Sequence, residues 1–261
     1  MSDLSRIVLV TAGGSGIGLA IAKHFAAKGC RVHICDIAQQ AIDDVKSELP
    51  DITATCADVS QVTQVDKVFD DLQRLYGGLD ILVNNAGIGT LPDFEEEDEK
   101  GWETMLSVNS KSIWLGIKSV LPSMKEQKSG SIVNVSSIFG LAGTPNHADY
   151  CGSKFAVRGF TEALMVELKS SKIQVHLLHP GGIKTNIARK ENSRAFSEHF
   201  LTTSADDIAQ YLIKGIQKNK LRIVYGNGAL KTFLGARFLP LAIIRSLIWN
   251  EMKPTIDMQD Y

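Results

Sequence analysis

A glycine-rich stretch lies near the N-terminus of the chain: Thr11-Ala12-Gly13-Gly14-Ser15-Gly16-Ile17-Gly18. Four strongly apolar residues (7–10) precede it, and a segment with helical periodicity (19–28) follows it. A strand, a glycine turn and a helix in this order can hold a pyrophosphate, because glycines let the backbone approach it and the free amides at the helix start attract its charge. The candidate phosphate-binding residues are Thr11, Gly13, Ser15, Gly16, Ile17 and Gly18.

The rest of the 261-residue chain repeats this alternation of short apolar runs and amphipathic segments. Strands separated by helical crossovers favour a parallel sheet that is covered on both faces. We therefore predict an α/β fold, a single Rossmann-like doubly wound parallel sheet of about seven strands flanked by helices. The predicted strands are 6–11, 31–36, 53–57, 80–84, 131–136, 174–179 and 222–225.

No internal repeat or linker divides the sequence, so we predict that residues 1–261 form one dinucleotide-binding catalytic domain. Residues 93–100, which include an acidic run, are predicted to be a solvated loop that leads into a helix. Residues 183–204 are mixed in charge and poorly periodic, which predicts a long substrate-binding loop. Residues 228–252 are predicted to form a C-terminal helical extension.

The second predicted strand ends at Asp36. In a dinucleotide site, a carboxylate at this point accepts hydrogen bonds from the adenosine ribose and repels a 2′-phosphate. Ile37 and Ser15 occupy the positions where a cation for that phosphate would be expected, and neither is charged. The sequence therefore favours NAD(H) over NADP(H) as the cofactor. The alternative interpretation of Asp36 is a cap for the following helix.

Tyr150 and Lys154 stand four residues apart near the start of a helix predicted over residues 150–171, so their side chains project from one face. A phenol has a pKa of roughly 10, and a nearby ammonium group favours its anionic form. Such a pair is suited to general acid–base catalysis, although the same spacing is also common on protein surfaces.

Several motifs together resemble the classical short-chain dehydrogenase/reductase family over roughly residues 6–225. The family's TGxxxGxG corresponds to residues 11–18, its Asn-Asn-Ala-Gly to residues 84–87 and its Tyr-x-x-x-Lys to residues 150–154. Ala12 departs from the pattern, because the family has glycine there, and we expect adjusted or weakened cofactor binding as a result. Further matches are Asp58-Val59, Asn109, Ser137, and Pro180-Gly181 followed by Thr185.

The resemblance implies reversible hydride transfer between nicotinamide and a secondary alcohol or ketone, with Tyr150 as the general acid/base. Ser137 would bind the substrate oxygen, and Lys154 would hold the nicotinamide ribose and lower the pKa of Tyr150. Asn109 would anchor a water in a proton relay. Beyond the turn residues, the cofactor-binding set that this implies comprises Asp36, Ile37, Asp58, Val59, Asn85, Ala86, Gly87, Tyr150, Lys154, Pro180, Gly181, Ile183 and Thr185.

The composition restricts partners and location. With 28 Lys and Arg against 29 Asp and Glu, the net charge is −1, and nothing indicates a nucleic-acid partner. The cysteines have no disulfide-like or metal-ligand spacing, which predicts buried thiols in a reducing compartment. The apolar run at residues 7–10 is too short for a signal peptide, and no apolar run is long enough to span a membrane, which predicts a cytoplasmic protein.

The segment 208–250 contains seven cationic residues and no acidic residue, together with an apolar stretch broken by Pro240. One interpretation is that its helices complete a substrate pocket or a subunit contact. The other is a basic, apolar surface that docks weakly onto a membrane, or onto an acyl chain on an anionic carrier. His147 and Asp149, just before Tyr150, are predicted to line the substrate pocket or face solvent rather than to form a hydrolase charge relay.

The expected partner is a small alcohol or carbonyl substrate, and the resemblance implies a homo-oligomer, either a tetramer or a dimer. Two other functions stay open. An NADPH-dependent 3-oxoacyl-thioester reductase would use the same catalytic residues, but Asp36 argues against its cofactor. A dinucleotide-binding regulator without catalysis would not need all four of Asn109, Ser137, Tyr150 and Lys154.

Overall fold

The computed structural model describes residues 6–89, 97–185 and 194–256. Within them, seven parallel strands form one sheet in the order β3-β2-β1-β4-β5-β6-β7, which confirms the predicted doubly wound α/β fold. The strands are β1 (Ile7–Thr11), β2 (Arg31–Asp36), β3 (Thr53–Cys56), β4 (Ile81–Asn84), β5 (Gly130–Val135), β6 (Ile173–Pro180) and β7 (Arg222–Tyr225).

Helices connect the strands and continue beyond the last one. They are α1 (Gly16–Ala26), α2 (Gln39–Glu48), α3 (Val62–Tyr76), α4 (Glu99–Leu106), α5 (Ser112–Gln127), α6 (Ala148–Glu167), α7 (Arg194–Phe200), α8 (Ala205–Gln217), α9 (Ala229–Phe238) and α10 (Leu241–Met252). A π-helical turn (Ser107–Lys111) joins α4 to α5, and two 3₁₀ turns lie at Ile138–Gly140 and Lys253–Thr255. Within the described residues, no helix is both long enough and apolar enough to cross a bilayer.

Polar side chains cap the starts of α4 and α8. The Gly101 amide donates to Asp98 Oδ1 at 2.6 Å at the start of α4, and the Asp207 amide donates to Ser204 Oγ at 3.0 Å at the start of α8. Each such cap satisfies an amide that has no partner inside the helix.

Two apolar layers enclose the sheet. On one face, α1, α2 and α8 pack on the strands through residues such as Ile21, Val45 and Leu212. On the other face, α3, α5 and α6 pack through residues such as Leu72, Ile117 and Val157. Because helices cover both faces of the sheet, the side chains on both sides of central strands such as β1 and β4 are buried, and these strands are therefore largely continuous apolar runs.

The strand order reverses between β1 and β4, which are neighbours in the sheet although five elements (α1, β2, α2, β3 and α3) separate them in the sequence. In open parallel sheets, ligands bind outside the carboxyl ends of the strands at this reversal. The glycine turn after β1 and the Asn85–Gly87 segment after β4 both lie at this point.

Three details differ from the sequence predictions. The helix that carries Tyr150 begins earlier and ends earlier than predicted, at Ala148 and Glu167. The segment 183–204 is predicted to be a loop, but it contains α7. This helix has only seven residues, too few for a clear helical periodicity in the sequence. Residues 186–193 lie outside the described structure. Of the acidic segment 93–100, residues 93–96 are likewise outside it, and α4 begins at Glu99.

The prediction of buried thiols is only half correct. All four cysteines are free, and Cys35 and Cys151 are buried, but Cys30 is partly exposed and Cys56 is exposed. Cys56 ends the edge strand β3, where no further strand covers it.

Candidate active site

The glycine turn after β1 is positioned by its own backbone. The Gly13 amide donates to the Cys35 carbonyl at 3.2 Å, and the Gly14 amide donates to Asp36 Oδ2 at 2.9 Å. Ser15 occupies the cap position of α1, and its hydroxyl makes no capping bond within the described chain. The first amides of α1 therefore stay available for an anion such as a pyrophosphate.

Two glycines of the turn keep that space open. Gly16 has a left-handed φ of +55°, and a Cβ there would lie 3.3 Å from Thr185 Cγ2, between the turn and the segment after β6. A Cβ on Gly18 would overlap the Ala12 carbonyl oxygen. Larger residues at either position would close the gap into which the α1 amides point.

Ala12 has a φ of +49°, a left-handed conformation that is unfavourable for a residue with a Cβ. Its carbonyl oxygen accepts a hydrogen bond from Asn85 Nδ2 at 3.4 Å. The turn thus keeps its contacts with the methyl group in place, and the cost is backbone strain of roughly 1–2 kcal/mol. That cost is a physical reason for glycine at this position.

Asp36 joins the end of β2 to the glycine turn. Its Oδ2 accepts from the Gly14 amide, and its Oδ1 accepts from the Ala38 amide at 3.1 Å. Because α2 begins at Gln39 with Ala38 as its cap residue, Asp36 is not the cap of that helix. Each carboxylate oxygen has a second lone pair for a ribose hydroxyl. The adjacent Ile37 side chain is 70% exposed and offers no cation.

The Asp58-Val59 pair follows β3 at the same edge of the sheet as Asp36. The Ala57 amide donates to the Asp36 carbonyl at 2.9 Å, which holds the two strand ends together. The Asp58 carboxylate accepts from the Ser60 amide at 2.9 Å, and both Asp58 and Val59 are partly exposed. An adenine base would therefore meet one polar and one apolar side chain here.

Thr11 ties the end of β1 to the segment after β4. Its hydroxyl oxygen accepts from the amides of Asn85 and Ala86, both at 2.9 Å. The chain then reaches Gly87, where a Cβ would lie 3.2 Å from Lys154 Nζ and 3.3 Å from Asn109 Oδ1. The Asn-Asn-Ala-Gly motif thus forms the wall between the glycine turn and the candidate catalytic residues.

Ser137 and Tyr150 lie side by side at the end of β5 and the start of α6. A hydrogen bond with Ser137 lowers the pKa of Tyr150, but desolvation dominates and raises it to about 12. Ser137 Oγ also accepts from the Phe139 amide at 3.1 Å, which fixes the hydroxyl in position. At neutral pH, Tyr150 is therefore a protonated phenol.

Lys154 lies one helical turn after Tyr150 and is 2% exposed. Its Nζ donates to the Val135 carbonyl at 3.2 Å and lies 5.5 Å from the centre of the Tyr150 ring. Burial lowers the pKa of Lys154 to about 8. Desolvation of the Tyr150 phenol outweighs the hydrogen bond with Ser137, so the pKa of Tyr150 is raised, and a lowering of it by Lys154 stays a prediction.

Asn109 lies in the π-helical turn between α4 and α5 and is fully buried. Its Oδ1 accepts from the Ile88 amide at 2.8 Å, and its Nδ2 donates to the Ile88 carbonyl and to Ser153 Oγ, both at 3.0 Å. The side chain therefore ties the segment after β4 to α6. A relay water at this residue would have to bond to its backbone.

The segment after β6 closes the site on the other side. The Gly181 amide donates to the Tyr225 carbonyl at 2.8 Å, directly after Pro180 ends the strand. Ile183 is buried and forms an isolated bridge with Thr203, which brings the chain back towards the glycine turn at Thr185. This path places the backbone of residues 181–185 between the turn and α7.

An aromatic cluster borders the site, and no sequence motif predicts it. Of the two predicted positions for His147 and Asp149, lining the pocket or facing solvent, the second is wrong, because both are buried, at 6% and 3% exposure. The His147 ring lies 5.0 Å from that of Phe139 and 5.3 Å from that of Phe196 on α7, and burial lowers its pKa. Phe139 also meets the Tyr150 ring edge-on at 6.1 Å. The wall beside Tyr150 is thus aromatic, and only the run of aromatics around residue 196 hinted at it.

Comparison with known proteins agrees with this geometry. The family model for short chain dehydrogenases matches residues 6–195. A 3-alpha-(or 20-beta)-hydroxysteroid dehydrogenase of Mycobacterium tuberculosis is 39% identical over 183 residues, which are 70% of each chain. A 2,5-dichloro-2,5-cyclohexadiene-1,4-diol dehydrogenase of Sphingobium indicum is 36% identical over 70% of this chain and 74% of the relative.

A solved short-chain dehydrogenase from Streptomyces avermitilis superposes with a TM-score of 0.82 at 27% identity, covering 98% of this chain and all of that one. Members of this family bind a nicotinamide dinucleotide, and the open glycine turn, the free amides of α1 and the Asp36 carboxylate fit such a group. The chain belongs to the short-chain dehydrogenase family, and it is an oxidoreductase that acts on alcohol and ketone groups.

Proposed function

We propose that the protein is an NAD(H)-dependent dehydrogenase that interconverts secondary alcohols and ketones, with Tyr150 as its general acid/base. One observation carries the proposal: Ser137, Tyr150, Lys154 and Asn109 form one contiguous group at the carboxyl edge of the sheet, next to the glycine turn. Taken separately, each of these side chains has a structural explanation. Together they present two hydroxyls and an ammonium group to one point.

The bound dinucleotide supplies or accepts the hydride in this chemistry. In ketone reduction, the Tyr150 hydroxyl donates its proton to the substrate oxygen, and in alcohol oxidation the phenolate takes that proton back. Ser137 donates a hydrogen bond to the same oxygen and stabilises the charge that develops on it. With a pKa of about 12, Tyr150 carries the proton that ketone reduction needs.

Lys154 is placed to hold the cofactor. Its Nζ is held by the Val135 carbonyl beside Gly87, at the boundary between the turn and the catalytic group. An ammonium group has three protons to donate, so two remain for the hydroxyls of a nicotinamide ribose. Asn109 donates to the Ser153 hydroxyl, which in turn donates to the Tyr150 carbonyl on α6.

The preference for NAD(H) over NADP(H) rests on Asp36. A 2′-phosphate would have to lie beside a carboxylate whose neighbours, Ile37 and Ser15, carry no charge. The resulting repulsion is not offset by any cation at these positions. This also makes an NADPH-dependent thioester reductase the second choice.

For the substrate, we propose cyclic or polycyclic secondary alcohols and the matching ketones. The rings of Phe139, His147 and Phe196 form an aromatic border beside Tyr150, inclined to one another by 45–73°, and an aromatic lining suits a substrate that contains a ring. The names of two relatives, a hydroxysteroid dehydrogenase and a cyclohexadiene-diol dehydrogenase, are consistent with this choice. A cytoplasmic location and a homo-oligomer, tetramer or dimer, remain predictions from the sequence.

The proposal is tested by following the absorbance of the reduced nicotinamide with NAD⁺ or NADP⁺ and a panel of cyclohexanol, cyclopentanol and a hydroxysteroid. We expect oxidation with NAD⁺, and slower or no oxidation with NADP⁺. A 3-oxoacyl thioester with NADPH or NADH is measured alongside. Turnover of the thioester with NADPH, and no turnover of any cyclic alcohol or ketone, would overturn the assignment. Dinucleotide binding with no turnover in either direction would favour a regulator.

A further inference from the structure

Helices α9 and α10 carry an apolar surface that the rest of the described chain leaves uncovered. Leu241 is 79% exposed and Phe238 is 69% exposed. Within the two helices, only Ala229 and Met252 are buried. Large apolar side chains that are exposed together mark a surface that contacts a protein or a membrane. The docking surface, as we define it, consists of Leu230, Leu234, Phe238, Leu241, Ile243 and Leu247.

The charge around the docking surface is positive. Residues 230–250 include no acidic residue, and Lys231, Arg237 and Arg245 are exposed among the leucines. Lys231 is paired with Glu251 at 2.7 Å, and the Arg237 guanidinium lies 5.6 Å from the centre of the Phe238 ring. A partner for this surface must therefore offer apolar contact and negative charge at the same place.

A second copy of the chain meets only the first requirement. A symmetric contact sets the same patch against itself, so cations would approach a surface that has the same cations and few acids. An anionic lipid bilayer meets both requirements, because its headgroups attract Lys and Arg while its acyl region takes up the leucines and Phe238.

The docking surface is connected to the candidate active site. Helix α9 packs against the 3₁₀ turn Ile138–Gly140, which directly follows Ser137, and the turn Lys253–Thr255 packs against α7. We propose that α9 and α10 dock the protein peripherally on an anionic membrane. Docking through these helices would bring α7 and the turn Ile138–Gly140, which border the site, near the lipid surface. This proposal does not depend on the reaction proposed above.

The test is sedimentation of the full chain with vesicles of phosphatidylcholine, with or without phosphatidylglycerol, at low and at high salt. We expect the protein to sediment with the anionic vesicles at low salt and to be released at high salt, where charge is screened. Leu241→Glu should sediment much less, because it places a charge in the apolar layer. Arg245→Gln should lower the partition coefficient about fivefold.

The matched control is Leu75→Glu, which changes an exposed leucine on α3, the helix that follows the opposite edge strand. It should sediment like the wild type. The proposal is overturned if the wild type stays in the supernatant at low salt, or if Leu241→Glu sediments equally well. It is also overturned if Leu241→Glu instead breaks an oligomer in size-exclusion chromatography, or if an acidic carrier protein binds and vesicles do not. If Leu241→Glu fails to fold, Arg245→Gln decides the outcome.

Discussion

The glycine turn and the catalytic group lie next to each other at the same edge of the sheet, but they are positioned in different ways. The turn is set by backbone: left-handed φ angles at Ala12 and Gly16, and the amide of Gly14 bonded to Asp36. The catalytic group is set by side chains: the amide of Asn109 and the ammonium of Lys154 both bond to backbone carbonyls. The conformation of the turn should therefore be sensitive to substitutions that add or remove a Cβ or change φ. The activity of the catalytic group should be sensitive to the loss of a single functional atom.

The largest effect is expected from Tyr150→Phe, which removes the proton that the reaction transfers. We expect kcat to fall by about 10²–10⁴-fold, the usual contribution of a general acid/base. NADH binding should persist, because the turn is positioned without the phenol hydroxyl. Steady-state kinetics and a binding titration with NADH measure the two quantities.

Tyr211→Phe is the matched control, since it removes one phenol oxygen from a tyrosine that stacks on Tyr225 away from Ser137. Its kcat should stay near that of the wild type. Activity of Tyr150→Phe within a few-fold of the wild type would remove Tyr150 from the mechanism.

Two strands of the sheet also carry buried histidines. His33 lies on β2 with Nδ1 bonded to Thr53 and Nε2 to Thr55, whereas His179 lies on β6 with only its Nδ1 bonded, to the Ser137 carbonyl. Burial lowers the pKa of both to about 4. The unfolded chain takes up protons near pH 6.5, so it binds more protons than the folded chain between pH 6.5 and 4, and stability falls as the pH falls through that interval.

At pH 5, each of these histidines should cost about 2 kcal/mol of unfolding free energy relative to neutral pH. Urea denaturation at the two pH values measures this loss. His179→Gln should reduce the loss by about 2 kcal/mol, its own contribution, and the exposed His199→Gln should leave it unchanged. An identical pH dependence in His179→Gln and the wild type would show that His179 is not held neutral by burial.

Asp36→Asn tests the turn through the side chain that anchors it. Asn keeps an acceptor for the Gly14 amide but removes the negative charge. We expect the affinity for NADH to fall about tenfold, the effect of one charge-assisted hydrogen bond, and the affinity for NADPH to rise. Asp43→Asn, an exposed change on α2, is the control. Unchanged discrimination between NADH and NADPH in Asp36→Asn would leave the cofactor preference without its proposed cause.

The smallest effect is expected from Ala12→Gly. Glycine relieves the left-handed strain of roughly 1–2 kcal/mol but adds freedom to the unfolded chain, so the net gain is below about 1 kcal/mol. The melting temperature should rise by about 1–3 °C. Ala20→Gly, within α1, should lower it, because a helix interior disfavours glycine. A lower melting temperature in both variants would contradict the strain at Ala12.

The sequence predicts the doubly wound parallel sheet for a physical reason. The glycine turn, Asp36 and the Tyr150–Lys154 spacing depend on local backbone, which short motifs report directly. The aromatic border depends instead on a segment distant in sequence, because it includes Phe196 on α7. His147 illustrates the difference, since its ring packs on Phe196, 49 residues along the chain.

The central claim, that this turn binds NAD(H) in preference to NADP(H), is tested most directly by the melting temperature of the wild type with each of the four dinucleotides. A ligand that binds only the folded state stabilises it by about 2.7 kcal/mol at a hundred times its Kd. We predict a rise of several degrees with NAD⁺ or NADH and a smaller rise, or none, with NADP⁺ or NADPH. A rise with the phosphorylated pair alone, or with none of the four, would contradict the account.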